Sequence, residues 1–250
     1  MKVEAGAYSS KGSTRKLNED SFLIGTEKGG SAIDNQADTK SKISLDIDTP
    51  SLFFVADGMG GHSSGDVASS FVVNKMLEYM KGEQTYNGDT LEMMIKAMHN
   101  ELLNEGKKRG TPNMGTTISG ILLQSGECSF FNVGDSRTYR LRGGFLQQLS
   151  RDDSLSNIVP DVQKNIITNA IGASLPSITV QTRFSKNIVM SGDIFFICSD
   201  GVHGVIDDDT FETMINKNIK PEIISENIVK YAIQNNSDDN CTAIIVKVVE

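Results

Sequence analysis

The chain has no apolar run long enough to cross a bilayer, few cysteines, and too few cations to balance its acids. A spanning helix needs about 20 mostly apolar residues, and no stretch approaches that, so no membrane span is expected. The N-terminal stretch MKVEAGAYSSKG has no apolar h-region, which argues against a secretory signal. Cys128, Cys198 and Cys241 are odd in number, widely spaced and without a CxxC pair. That excludes a disulfide framework and a cysteine-built zinc site, and it favours a reducing compartment, the cytoplasm. With Lys+Arg 24 against Asp+Glu 32, the net charge is -8. Nucleic acid and anionic membranes select basic surfaces, so neither is expected as a partner.

What is present is an ordinary globular composition, 38% hydrophobic and 22% charged. Its 250 residues suffice for one domain, 1–250, with its own core. Strand signals dominate. They fall at Ser21–Gly25, Ser51–Asp57, Thr116–Gln124, Glu127–Asp135, Arg137–Gly144, Ser177–Phe184, Gly192–Asp200 and Cys241–Val249. Short turns such as SG and GDS between the middle members predict an antiparallel meander. The continuously apolar FFIC and AIIV predict strands covered on both faces. Helical periodicity predicts helices over Asp66–Met80, from Asp89 onward through Leu102, over Asp207–Lys217 and over Pro221–Gln234. Glu92 three residues after Asp89 reads as a capping box with aspartate as the cap. Asp207, Asp208 and Asp209 read as first-turn charge complementing a helix dipole. The polar stretch Glu27–Lys42 reads as a long surface loop or a ragged hairpin. Two blocks of antiparallel strands, each followed by helices, predict packed sheets with helices outside.

Several strands end on acids: Glu19 and Asp20, Asp57, Asp135, Asp200 and Asp239. Four of these have a small or turn-forming neighbour, as in Asp57-Gly58, Gly134-Asp135-Ser136, Asp200-Gly201 and Asp239-Asn240. Taken singly, each aspartate reads as a turn cap. Taken together at one sheet rim they would repel by several kcal/mol at reduced dielectric. Divalent cations resolve that conflict, and an all-oxygen donor set suits Mg²⁺ or Mn²⁺.

The segments RKLNED (Arg15–Asp20), VADGMGGH (Val55–His62), MGTT (Met114–Thr117), NVGDSR (Asn132–Arg137), CSDGV (Cys198–Val202) and DDNCTAIIV (Asp238–Val246) carry a resemblance. In order and approximate spacing they resemble the metal-dependent PP2C protein phosphatases, in the compact bacterial form, over nearly the whole chain. The resemblance implies an α+β fold, an αββα four-layer sandwich of two antiparallel β-sheets flanked by helices. It implies hydrolysis of phosphoserine and phosphothreonine by a water or hydroxide bridging two Mn²⁺ or Mg²⁺ ions. The metal ligands would be Asp20, Asp57 as the bridging group, Gly58 through its carbonyl, Asp200 and Asp239. Asp135 with Asp200 would hold a third metal. Glu19 and Asn240 would support this shell, and Arg15 would bind the substrate phosphate, its planar fork matching two phosphate oxygens. Partners would be phosphorylated proteins in kinase-linked signalling, met by a monomer.

The match loosens in two places. The histidine that relatives place after DG is Met59 here, with His62 three positions later and its role open between the site and a helix entry. The flap reads RDDSLS and IITNAIG, putting Asp153 and Asn169 where relatives carry histidine and arginine. Two other readings stay open: a non-catalytic phosphoprotein-binding module, and a phosphatase for small metabolites.

Overall fold

The computed structural model describes residues 2–26, 29–33, 38–46, 49–60, 64–81, 86–155, 166–215 and 218–249. Its first strand, β1 (Lys2–Ser10), falls where no strand was expected. The buried residues Val3, Ala5 and Ala7 alternate along it, a period-2 pattern built from small side chains that carries little hydrophobic signal. β1 nevertheless holds an interior place in a six-stranded antiparallel sheet. On one side it pairs with β14 (Cys241–Val248) and on the other with β4 (Thr39–Asp46). Beyond β14 lie β13 (Ile194–Cys198), β9 (Arg137–Arg142) and β10 (Phe145–Gln148).

The second sheet is also antiparallel and has eight strands among the described residues. Its path runs β11 (Ile171–Gly172), β6 (Gly115–Thr116), β5 (Ser51–Met59), β7 (Ile118–Gln124), β8 (Glu127–Val133) and β12 (Gln181–Ile188). β2 (Asp20–Thr26) pairs with β5, and β3 (Gly29–Ile33) pairs with β2.

Helices α1 (Gly65–Met80) and α2 (Gly88–Arg109) cover the second sheet; α3 (Asp200–His203), α4 (Asp208–Met214) and α5 (Pro221–Gln234) cover the first. Three apolar layers result, and the continuously apolar strands explain them. In β5, Phe53 and Val55 face the other sheet, while Leu52, Phe54 and Ala56 face α1 and α2. In β14, Ile244 and Val246 point inward, and Ala243 and Ile245 pack under α5. Burying one such phenylalanine or isoleucine contributes about 1.5–3 kcal/mol. This is the four-layer αββα sandwich that the resemblance implied.

Local details differ from expectation. The cap of α2 is Asn87: its side chain accepts from Thr90 N at 2.9 Å, and Thr90 Oγ1 accepts from Asn87 N at 2.7 Å. Asp89 lies inside the first turn. The meander is broken, because β7 and β8 form a hairpin in one sheet while β9 crosses to the other. The polar stretch after Glu27 supplies two strands, β3 and β4, one to each sheet. The acidic run at α4 behaves as expected, with Asp207 accepting from Thr210 N and Asp208 and Asp209 in the first turn.

Candidate metal centre

Asp20 opens β2 and lies directly opposite Asp57 on β5. Opposed residues of an antiparallel pair hold their Cβ atoms about 4.5–5.5 Å apart, so register alone forces two carboxylates together. The first sheet brings the others. Asp200 is the first residue of α3, just past β13, and Asp239 lies in the turn entering β14. The two rims are laced by hydroxyls. Ser199 Oγ donates to Asp20 Oδ2 at 2.8 Å, and Thr242 Oγ1 donates to the same oxygen at 2.6 Å. Neither hydroxyl was anticipated, because each depends on cross-sheet register that no local motif records.

The electrostatics are those of crowded acids. Burial pushes the Asp20 carboxyl up to about 7 against the two hydroxyl bonds, and the charges of Asp239 and Asp200 add to the rise. Asp57, half-buried at the rim, is pushed well above the usual carboxylate range by desolvation and by Asp20, Asp200, Asp239 and Asp135. Asp200 is raised by burial and then by Asp239. Asp135 is raised to about 7 by burial, with Asp200 and Asp152 adding. Asp20 Oδ1, Asp135 Oδ1 and Asp200 Oδ1 are all buried without a hydrogen-bond partner. Buried carboxylate oxygens left unpaired are costly, and an oxygen-seeking dication is the group such a donor set fits. Among the described residues no three His, Cys, Asp or Glu side chains converge tightly enough to form a ready-made ligand set. Asp20 spends one oxygen on Ser199 and Thr242, and Asp239 pairs with Arg15.

The backbone around Asp57 is pinned independently of its side chain. Asp57 N donates to Thr117 Oγ1 at 3.0 Å, and its carbonyl accepts from Thr117 N at 2.9 Å and Thr116 Oγ1 at 2.9 Å. These are the two threonines of MGTT. Gly58 N donates to Glu19 O at 3.1 Å, and a Cβ on Gly58 would stand 2.6 Å from that carbonyl and inside the Gly65 backbone. Only glycine permits this crossing of β5 with the start of α1. Glu19 Oε1 accepts from Gly65 N at 3.2 Å, and burial raises its carboxyl.

Asn240 organises the loop between β1 and β2. Its Oδ1 accepts from Glu19 N at 2.8 Å, while Nδ2 donates to Leu17 O at 2.9 Å and Lys11 O at 3.1 Å. The loop carries Arg15, whose Nη2 donates to Asp239 Oδ2 at 2.7 Å and whose Nε donates to Asp238 O at 3.2 Å. Arg15 remains 47% exposed, so its guanidinium faces solvent as well as the cluster. Asn240→Ala removes three bonds from a buried side chain. We expect a loss of roughly 2–3 kcal/mol in chemical denaturation, because the Arg15 loop and the Glu19 backbone lose their common anchor.

Asp135 lies apart from the β2–β5 pair, in the turn after β8. Its carbonyl meets His203 Nε2 at 2.9 Å. Asp153 holds the same turn: Oδ2 accepts from Gly134 N at 3.1 Å and from Asn169 Nδ2 at 2.7 Å, and Oδ1 accepts from Gln181 Nε2 at 3.0 Å. The two flap departures in the sequence thus bond to each other. Cys241 is buried beside the site, with Sγ 3.5 Å from Asp239 O, and burial lifts its thiol to about 12, as befits a small structural residue. His62 lies outside the described residues.

A profile of the protein phosphatase 2C family matches residues 26–228. That span includes Asp57, Asp135 and Asp200, while Arg15, Glu19, Asp20, Asp239 and Asn240 flank it. The serine/threonine protein phosphatase PstP of Mycobacterium tuberculosis is 28% identical over 217 residues, covering 80% of this chain. The chain spans 40% of that relative's length. The protein phosphatase PhpP of Streptococcus pneumoniae is 28% identical over 219 residues, covering 80% of this chain and 86% of the relative. Among solved structures, PppA, described as a key regulatory component of T6SS in Pseudomonas aeruginosa, superposes with a TM-score of 0.79 at 28% identity, covering 98% of this chain and 97% of its own. The catalytic domain of PstP in complex with two manganese ions superposes with a TM-score of 0.77 at 24% identity, covering 100% of both chains.

Proposed function

Because the chain belongs to the protein phosphatase 2C family, we propose that it is a metal-dependent protein phosphatase for phosphoserine and phosphothreonine, with residues 1–250 acting as one domain. The observation that carries this reading is the set of buried carboxylate oxygens on Asp20, Asp135 and Asp200 that the protein itself leaves unpaired. Asp20, Asp57, the Gly58 carbonyl, Asp200 and Asp239 would hold two Mn²⁺ or Mg²⁺ ions, and Asp135 with Asp200 a third. When bound, such ions supply positive charge that makes water acidic enough to attack phosphorus and that offsets the phosphate charge.

The chain's own residues do the remainder. Arg15 receives two phosphate oxygens on its exposed edge while Asp239 and the Asp238 carbonyl fix its orientation. Asn240 holds the Arg15 loop and the Glu19 backbone in one frame. Ser199 and Thr242 fix which oxygen of Asp20 stays free. Thr116 and Thr117 hold the Asp57 backbone, so the carboxylate approaches from a fixed direction. Catalysis in this arrangement is positioning and charge complementarity, with no covalent enzyme intermediate.

No helix among the described residues is long and apolar enough to cross a membrane. A monomer in the cytoplasm, opposing a kinase on phosphoprotein substrates, completes the reading. Turnover of a phosphothreonine peptide under Mn²⁺ titration tests it, and hydrolysis unaffected by chelation sinks it. In the same assay Arg15→Ala should lower kcat/KM by about 10²-fold, chiefly through KM, with Arg15→Lys intermediate.

A further inference from the structure

We propose that the loop from Lys11 to Leu17 is a subsite for Asp or Glu residues flanking the phosphorylated side chain of the substrate. The inference rests on the phosphatase reading and narrows its substrate class.

Three cations, Lys11, Arg15 and Lys16, stand on this loop, and no acid occurs from residue 11 to residue 18. In a chain of net charge -8, that is a local reversal of sign. Arg15 is engaged by Asp239 and the Asp238 carbonyl. Lys11 and Lys16 are exposed, and among the described residues neither ammonium has an ion pair or hydrogen bond. Elsewhere Lys75, Lys96 and Lys230 each lie against a glutamate. Among the described residues the exposed Asp238 forms no ion pair with either lysine.

The loop is also held in place. Asn240 Nδ2 grips the carbonyls of both Lys11 and Leu17, and Asn18 Nδ2 donates to Ser9 Oγ at 2.8 Å. Gly12 adopts φ 72°, and a Cβ there would stand 2.6 Å from Asp239 O. The backbone of the turn carrying the lysines is therefore pressed against a proposed metal ligand, on the same loop as Arg15. Unpaired cations on a held loop beside a phosphate site attract further negative charge and speed its encounter. An extended peptide advances about 3.3–3.6 Å per residue, so with the phosphate on Arg15 a flanking acid would need to reach only the neighbouring stem of Lys16 or the other cation of the same loop, Lys11.

The test compares two phosphothreonine peptides that differ only in Glu or Gln at the flanking positions, with p-nitrophenyl phosphate as a substrate that has no flanks. At low salt the wild-type protein with Mn²⁺ should favour the Glu peptide about fivefold in kcat/KM, the scale of one or two exposed ion pairs. In the Lys11→Ala/Lys16→Ala double variant the ratio should fall to about one, as it should at high salt for the wild type. Turnover of p-nitrophenyl phosphate and the melting temperature should be unchanged by the variant. Equal use of the two peptides by the wild type, or a preference that survives the double substitution, overturns the subsite while leaving the phosphatase reading intact. Failure to hydrolyse p-nitrophenyl phosphate and both peptides overturns that reading and the subsite with it.

Discussion

Asp57→Asn should abolish phosphatase turnover and, with a chelator present, raise the melting temperature. The first effect follows from the proposed bridging position. The amide keeps the shape and loses the charge, so the ions that Asp57 would help to hold would lose an anionic ligand, and a fall of at least about 10³-fold in kcat is expected. The second follows from the crowding. Desolvation and four neighbouring aspartates all oppose ionisation at Asp57. Two like charges about 6 Å apart at an effective dielectric of about 20 repel by roughly 3 kcal/mol. Removing one member relieves part of that, and each kcal/mol regained corresponds to about 2–4 °C in a protein of this size. Folding should survive, because Thr116 and Thr117 hold the backbone rather than the carboxylate. Calorimetry of metal binding and of unfolding, both on the variant, reads the two effects separately. A variant that loses activity and also loses stability in chelator would mean that the carboxylate is a structural group, and the metal assignment of Asp57 would fail.

The opposed signs distinguish a functional carboxylate from a turn cap, the alternative that the sequence left open. A capping aspartate stabilises its turn, as Asp207 does for α4 by accepting from Thr210 N. Among the described residues no turn amide donates to the Asp57 carboxylate; its side chain meets Asp200 instead, and its neighbours raise the cost of its charge. Asp57 follows the apolar run SLFFVA near the end of β5 and precedes a glycine-rich stretch, whereas Asp207 opens an acidic run at the start of α4. Here the motif, not the residue type, was informative. The same holds for the strands: the apolar runs of β5, β13 and β14 were legible because both faces are buried and each carries consecutive large apolar residues, such as Leu52–Val55, Ile194–Ile197 and Ile244–Val246. β1 was not, since Val3, Ala5 and Ala7 fill the same core with little apolar area. Ser199 and Thr242 carry ordinary hydroxyls whose role exists only once the two sheets are in register, and Thr117 bonds Asp57 only once β5 and β7 pair. The Asn87 cap was masked by Asp89, an equally good cap placed two residues too late.

The crowding has a second consequence, in the pH dependence of stability without metal. Asp20 and Asp135 titrate near 7 in the folded protein, against an ordinary value of 3.8. Between those limits the folded chain holds protons that the unfolded chain has released. Stability in chelator should therefore fall as pH rises from about 4 to about 7 and level off above, at up to about 1.4 kcal/mol per pH unit for each group. Asp57, Asp200 and Glu19 are shifted in the same direction and add to the fall. His203 opposes it. Burial lowers its imidazole to about 4, so its contribution rises with pH between about 4 and 6.5 and offsets one carboxylate over that window. The net slope remains negative, and a melting temperature lower by some 10 °C at about pH 8 than at about pH 5 is expected. Mn²⁺ should reverse the trend, because protons compete with it for the same oxygens and it binds the folded form alone. Its stabilisation should be small at about pH 5 and large at about pH 8. A melting temperature in chelator that is flat or rising across this range would mean that these carboxylates do not share one buried site, and the pair of cations would have nothing to neutralise.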